Sequence, residues 1–163
     1  MKQLFCIAIG LLCASGTSQD SVNEVLDTYN DHSVEYIYGD QLAELTPAPL
    51  ILDTREKEEY DISHLKDAIH VGFREVNISK IGKLTHDKNT TIVVYCSIGV
   101  RSERIGKQLI AEGYTAVYNL YGGIFEWVNN GKKVYNYNKE TPKVHAYSKK
   151  WGAYLIKGTK VYD

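Results

Sequence analysis

One cysteine stands where it can do chemistry. The run Thr91-Ile92-Val93-Val94-Tyr95 is apolar and rich in β-branched residues, and it ends at Cys96. Ser97-Ile98-Gly99-Val100 then separates this thiol from Arg101 and Ser102, and an amphipathic run continues to Glu112. A strand that delivers a thiol to a short glycine-containing loop, with a helix starting behind it, gathers backbone N–H groups around one point. Such a cradle favours negative charge, so the thiol is expected to have a lowered pKa and to act as a nucleophile. A lone cysteine is otherwise a small core hydrophobe. Its place at a strand end, opening this loop, argues for reactivity. Arg101 would add a fixed positive charge beside the loop or orient an anionic donor.

The elements that must position this loop follow from the pattern around it. Apolar strands are predicted at residues 33–38, 50–52, 68–71, 91–95 and 116–120. Helical runs are predicted at 40–45, 56–60, 78–84, 101–112 and 124–128. Strands alternating with helices imply an α/β fold, with a parallel sheet flanked by helices on both faces. Ligands in such sheets sit beyond the carboxyl ends of the strands. Asp53, Arg55, Cys96 and the pair Gly122-Gly123 all fall at such ends. Asp53 and Arg55 are expected to hold the loop network, pairing with neighbours such as Glu59. Gly122 and Gly123 are expected to let the backbone approach closely near this rim. In the helix after Cys96, Ile105, Leu109 and Ile110 should form the apolar face, with Gly113 as the cap. His32, His86 and His145 lack metal-ligand spacing, so neither a metal nor a cofactor is expected.

The ends of the chain read differently from its middle. Residues 1–16 carry Lys2, a short apolar run and Ala14-Ser15-Gly16, the pattern of a cleaved signal peptide. That run is too short for a comfortable membrane span, and Leu12 before Cys13 does not suit lipidation. Export to a periplasmic or secreted location is therefore expected, without a membrane anchor. Cys6 and Cys13 would leave with the signal, and Cys96 would remain with no partner for a disulfide. Residues 17–32 read as a leader with a weak helix, 33–131 as the folded domain, and 132–163 as a basic, Tyr-rich C-terminal extension. In that extension Val134-Tyr135-Asn136-Tyr137 reads as irregular. Ser148 is expected to cap a helix with Trp151, Tyr154 and Leu155 on one face, ended by Gly158. Its lysines are interleaved with Tyr and Val, as on a solvated face. The formal net charge of −1 hides this basic tail, which could meet an acidic partner or an anionic surface; no nucleic-acid partner is expected.

Arg101 lies five positions after Cys96, one fewer than in cysteine phosphatases, and a tighter ring suits a terminal sulfur atom better than a phosphoryl group. Here the chain resembles the rhodanese sulfurtransferases, across residues 34 to about 131. The resemblance rests on Cys96-Ser97-Ile98-Gly99-Val100-Arg101-Ser102, on Leu52-Asp53-Thr54-Arg55 with Glu59-Tyr60, and on His64-Leu65 with Ala68-Ile69. Gly122-Gly123-Ile124 with Trp127 completes it. It implies a five-stranded parallel sheet with the cysteine after the fourth strand. It also implies a double displacement, in which Cys96 takes a sulfane sulfur from thiosulfate or a thiol persulfide, becomes a persulfide, and passes that sulfur to a thiophilic acceptor. With a single thiol the acceptor must be external, a small thiol or an unidentified protein. Ser97, Ile98 and Val100 are neutral where thiosulfate-preferring relatives often carry basic residues, which favours a thiol persulfide or a protein partner. The alternative is a non-catalytic rhodanese-like module that docks a protein through the tail. A phosphatase or arsenate reductase is disfavoured by the short loop and the absence of a resolving cysteine.

Overall fold

A computed structural model describes residues 17–162; the expected signal peptide lies outside the described residues. The chain begins with α1 (Thr17–Tyr29), β1 (Glu35–Ile37), α2 (Gly39–Glu44), β2 (Leu50–Asp53) and α3 (Lys57–Ile62). It continues with β3 (Ile69–His70), α4 (Ile78–Ile81), β4 (Ile92–Tyr95), α5 (Val100–Ala111), β5 (Val117–Leu120) and α6 (Gly123–Asn129). The C-terminal part adds β6 (Val134–Asn136), β7 (Lys139–Thr141), β8 (Lys143–His145), α7 (Lys149–Gly152) and β9 (Thr159–Val161).

Strands β1 to β5 form one five-stranded sheet in the order β1-β5-β4-β2-β3, and every pairing is parallel. Strand β4 is central and its residues are fully buried, which a parallel strand covered on both faces requires of its side chains. Alternation splits them between two cores. Val93 and Tyr95 meet Leu42, Phe125 and Val128 from α2 and α6, while Ile92 and Val94 meet Ile81, Ile105 and Leu109 from α4 and α5. Chain order reverses across β4, so its carboxyl end opens at a switch point, where α/β sheets bind ligands.

Helix α5 turns Ser102, Ile105, Gly106 and Leu109 inward, whereas Ile110, expected on that face, is 41% exposed. The stripe follows the three- and four-residue spacing that starts at Ser102, and position 110 falls one step off it. Trp127 is only partly buried; its indole N–H donates to the Lys133 carbonyl at 2.9 Å.

The tail is more ordered than its composition suggests. Of residues 134–137, read as irregular, Val134–Asn136 form β6 of an antiparallel hairpin with β7, and β8 pairs with β9 in parallel. The expected helix after Ser148 stops at Gly152. Ser148 does cap it, its Oγ accepting from the Trp151 N–H at 3.4 Å. Leu155 then turns into the core rather than extending a helical face. Val134, Val144, Ala146 and Leu155 are all buried in the cluster that holds Val93 and Tyr95, so burial against the sheet overrides local helix propensity. The leader is integrated in the same way: Val22, Val25 and Leu26 of α1 pack on Ile98 and Tyr121. Among the described residues no helix is long and apolar enough to cross a membrane.

Candidate active site

Cys96 leaves the carboxyl end of β4, and its Sγ accepts a hydrogen bond from the Gly99 backbone N–H at 3.1 Å. Gly99 starts α5 from a left-handed conformation, φ 108°, which glycine adopts without penalty. Ser102 Oγ lies 3.6 Å from the same sulfur and donates to Asn119 Oδ1 at 2.7 Å. The loop's carbonyls are bound from outside. Ile124 N–H donates to Cys96 O at 2.9 Å and Phe125 N–H to Ser97 O at 3.1 Å. Gly99 O accepts from Asn119 Nδ2 at 2.8 Å and from Asn30 Nδ2 at 3.1 Å. The loop amides that act on the sulfur are those of Gly99 and Ser102. Burial pushes the Cys96 pKa up. The charge of Arg101, the Ser102 hydroxyl and the Ser102 and Gly99 amides outweigh it and hold the pKa below its ordinary value.

Gly123 sets the approach of α6 to this loop. A Cβ there would stand 2.3 Å from Cys96 O and 2.7 Å from the Ser97 carbonyl carbon, both backbone, at a φ of +56°. Gly123→Ala is therefore expected to cost roughly 2–4 kcal/mol of stability through overpacking and strain. It should also slow alkylation of Cys96, as thermal denaturation and thiol titration would show. Gly122 is also left-handed, and a Cβ there would meet Glu126 Cβ at 2.3 Å.

Arg101 and Glu59 clamp the loop to α3. Arg101 Nη1 donates to Glu59 Oε2 at 2.6 Å, and Nη2 donates to Glu59 Oε1 at 2.8 Å and to Ser97 Oγ at 2.9 Å. Ser97 Oγ donates in turn to Glu59 Oε1 at 3.0 Å. The sequence reading placed Glu59 beside Arg55. In the structure its carboxylate accepts from Arg101, from Ser97 Oγ and from the Glu56 N–H, and Arg55 acts on it through charge alone, because α3 carries Glu59 across to the start of α5. Burial raises the Glu59 pKa, but the bidentate Arg101 pair dominates and brings it to about 2. A carboxylate held below its unfolded pKa of about 4.3 stabilises the fold above that pH and loses the contribution as pH falls through the folded value. The stability difference between wild type and Glu59→Gln is accordingly expected to shrink as pH falls from about 4 to about 2, measurable by denaturant titration.

Asp53 and Arg55 form a separate network beneath the rim. Both are fully buried, with Arg55 Nη2 donating to Asp53 Oδ2 at 2.6 Å and to Ser63 O at 2.6 Å. The Tyr95 hydroxyl donates to Asp53 Oδ2 and accepts from the Leu65 N–H at 3.1 Å. His70 Nε2–H donates to Arg55 O at 2.9 Å. Neither Asp53 nor Arg55 lines the cavity at Cys96. That cavity, about 130 Å³, is bounded by Cys96, Ser97, Ile98, Val100, Arg101, Tyr147 and Trp151. The structure thus joins Cys96, Arg101 and the loop residues at one site, and sets Asp53 and Arg55 apart as their support.

Four residues at this site were not singled out as site residues from sequence. Asn119, fully buried, is a polar residue inside an otherwise apolar strand, a signal that marks a group with a bonding task. Asn30 lies in the leader, and Tyr147 and Trp151 in the tail, where sequence pattern gives no link to the loop. Among the described residues no cluster of three or more His, Cys, Asp or Glu is arranged to hold a metal ion.

The geometry defines a parallel α/β domain with a cysteine at the end of its central strand, set in a short amide-lined loop. A model of the rhodanese-like domain matches residues 38–130, and the chain belongs to the rhodanese-like domain family. Among curated proteins it is similar to the tRNA uridine(34) hydroxylase of Hamiltonella defensa subsp. Acyrthosiphon pisum (strain 5AT). The two are 34% identical over 113 residues, which is 66% of this chain and 32% of that protein. The protein of the same name from Yersinia pestis (strain Pestoides F) is 34% identical over 103 residues, 60% of this chain and 29% of its own length. The chain thus spans about a third of the curated relatives it matches. Among solved structures it is similar to thiosulfate sulfurtransferase from Pseudomonas aeruginosa, with a TM-score of 0.60 at 20% identity over 85% of this chain and 26% of that one. The polysulfide-sulfur transferase homodimer from Wolinella succinogenes gives a TM-score of 0.56 at 20% identity, over 71% of this chain and 88% of that one. At these identities the shared property is the fold.

Proposed function

We propose that this protein is a sulfurtransferase that carries one sulfur on Cys96. The Cys96 thiolate attacks the outer sulfur of a small donor, thiosulfate or a thiol persulfide. The donor's S–S bond breaks and its electron pair leaves with sulfite or with a thiolate. The resulting Cys96 persulfide is then attacked at its outer sulfur by an external thiol or other thiophilic acceptor, and the Cys96 thiolate is regenerated. No oxidant or reductant is consumed. Splitting one transfer into two displacements is what an activated nucleophile achieves. The single observation that carries this reading is the Gly99 amide directed at the Cys96 sulfur, a fixed donor that stabilises negative charge without reorganising. In this scheme Cys96 is the nucleophile and Arg101 tunes its charge. Ser97, Ile98, Gly99, Val100 and Ser102 shape the cradle, while Asp53, Arg55, Gly122 and Gly123 hold it in place.

The curated relatives favour a second reading for the partner. Their name refers to a uridine of tRNA, which runs against the sequence expectation of no nucleic-acid partner, so a tRNA-directed role is the alternative. Export remains part of the first proposal, through the signal pattern in residues 1–16. Intact-mass measurement after incubation with thiosulfate or glutathione persulfide tests it: one added sulfur on Cys96 supports it. Absence of an adduct from every donor, together with tight tRNA binding, favours the alternative.

A further inference from the structure

The tail builds one wall of the cavity over the sulfur. Tyr147 stands on the turn between β8 and α7 with a φ of 63°, a conformation uncommon outside glycine. Its N–H donates to His145 Nδ1 at 3.2 Å. From there its ring lies 4.9 Å from the Arg101 guanidinium carbon, while 46% of the residue stays exposed. Trp151 lines the same cavity, with Tyr29 and Tyr154 beside it at ring-centroid distances of 5.9 and 6.0 Å.

The charge at this mouth is already matched. Both terminal nitrogens of Arg101 bind Glu59, and one also binds Ser97 Oγ. Ser97, Ile98 and Val100, which complete the lining, are neutral. A dianion such as thiosulfate thus meets a guanidinium neutralised by a carboxylate and covered by a tyrosine ring. An apolar substituent entering the same space is buried against two aromatic side chains. An apolar-walled cavity of about 150 Å³ takes up benzene, so the 130 Å³ here suits one ring or a short alkyl group.

We propose that Tyr147 and Trp151 select an organic persulfide, R–S–SH with an aromatic or short aliphatic R, over inorganic thiosulfate. This rests on Cys96 being the sulfur-carrying residue. The Cys96 thiolate bonds to the outer sulfur of R–S–SH and the donor S–S bond breaks. The electron pair leaves on R–S⁻, which takes a proton from water, and Cys96–S–SH remains.

The test measures Cys96 loading in the full chain by quenched intact-mass kinetics, with benzyl persulfide and thiosulfate as donors. Wild type is compared with Tyr147→Ala, Trp151→Ala and Tyr147→Phe. The ratio of benzyl persulfide to thiosulfate loading is expected to fall about ten-fold in each alanine variant, and to be retained in Tyr147→Phe. The half-exposed Tyr147 site decides the matter if Trp151→Ala unfolds. A ratio that Tyr147→Ala leaves unchanged, or faster loading by thiosulfate in wild type, overturns the proposal and leaves the sulfurtransferase reading standing. No loading by either donor in wild type overturns both.

Discussion

Cys96→Ser is expected to lose sulfur transfer to any acceptor, with turnover falling to the uncatalysed background, on the order of 10⁴-fold or more. Serine fits the space of cysteine and can accept the Gly99 N–H, so the fold should persist and the loss should be chemical. The reason lies in ionisation. The loop lowers the pKa of a thiol, whereas a hydroxyl starts far too high for the same environment to ionise it. The measurement is steady-state transfer from a persulfide donor to a thiol, with thermal denaturation alongside. Appreciable turnover by a folded Cys96→Ser protein would remove Cys96 from the mechanism.

Arg55→Leu carries the largest expected effect on stability. The guanidinium is fully buried against Asp53, also fully buried, and donates to the Ser63 carbonyl. Removing it strands a carboxylate in a site with no access to water, at about 3–5 kcal/mol. For a chain of this size that corresponds to a drop in melting temperature of roughly 10 °C or more. Asp53 would keep the Tyr95 hydroxyl and the backbone N–H of residue 55, and these do not offset the loss, because two neutral donors do not balance a buried charge. Because Arg55 does not line the cavity, protein that remains folded below the new transition should still carry a reactive Cys96. A change of less than about 1 kcal/mol in the variant would show that the pair is not the anchor described here.

How much of this was legible in the chain depends on which forces act locally. The central strand could be read because burial on both faces demands the unbroken apolar run at residues 92–95. The loop could be read because Cys96, Gly99 and Arg101 sit close together in sequence. The Glu59–Arg101 pair could not, since 42 residues separate its members and a nearer cation, Arg55, competed for the assignment. The tail hid its role for a similar reason. Val134, Val144 and Leu155 show no clean period, because they reach one shared core cluster under the sheet from separate short elements and turns. Nothing near Tyr147 in sequence betrays that its ring reaches Arg101. Ile110 is apolar yet exposed because the buried stripe of α5 is one residue narrower than its apolar sequence suggests.

The claim on which the rest depends is that the loop holds the Cys96 thiol pKa below its ordinary value. The most direct measurement is the rate of Cys96 alkylation by iodoacetamide across pH, in wild type and in Arg101→Gln. The wild-type rate should reach its plateau below the ordinary thiol pKa of about 8.5, and the midpoint should move upward in the variant, where the stabilising charge is gone. A wild-type rate that climbs through that range as an ordinary thiol does, with the same midpoint in Arg101→Gln, would contradict it.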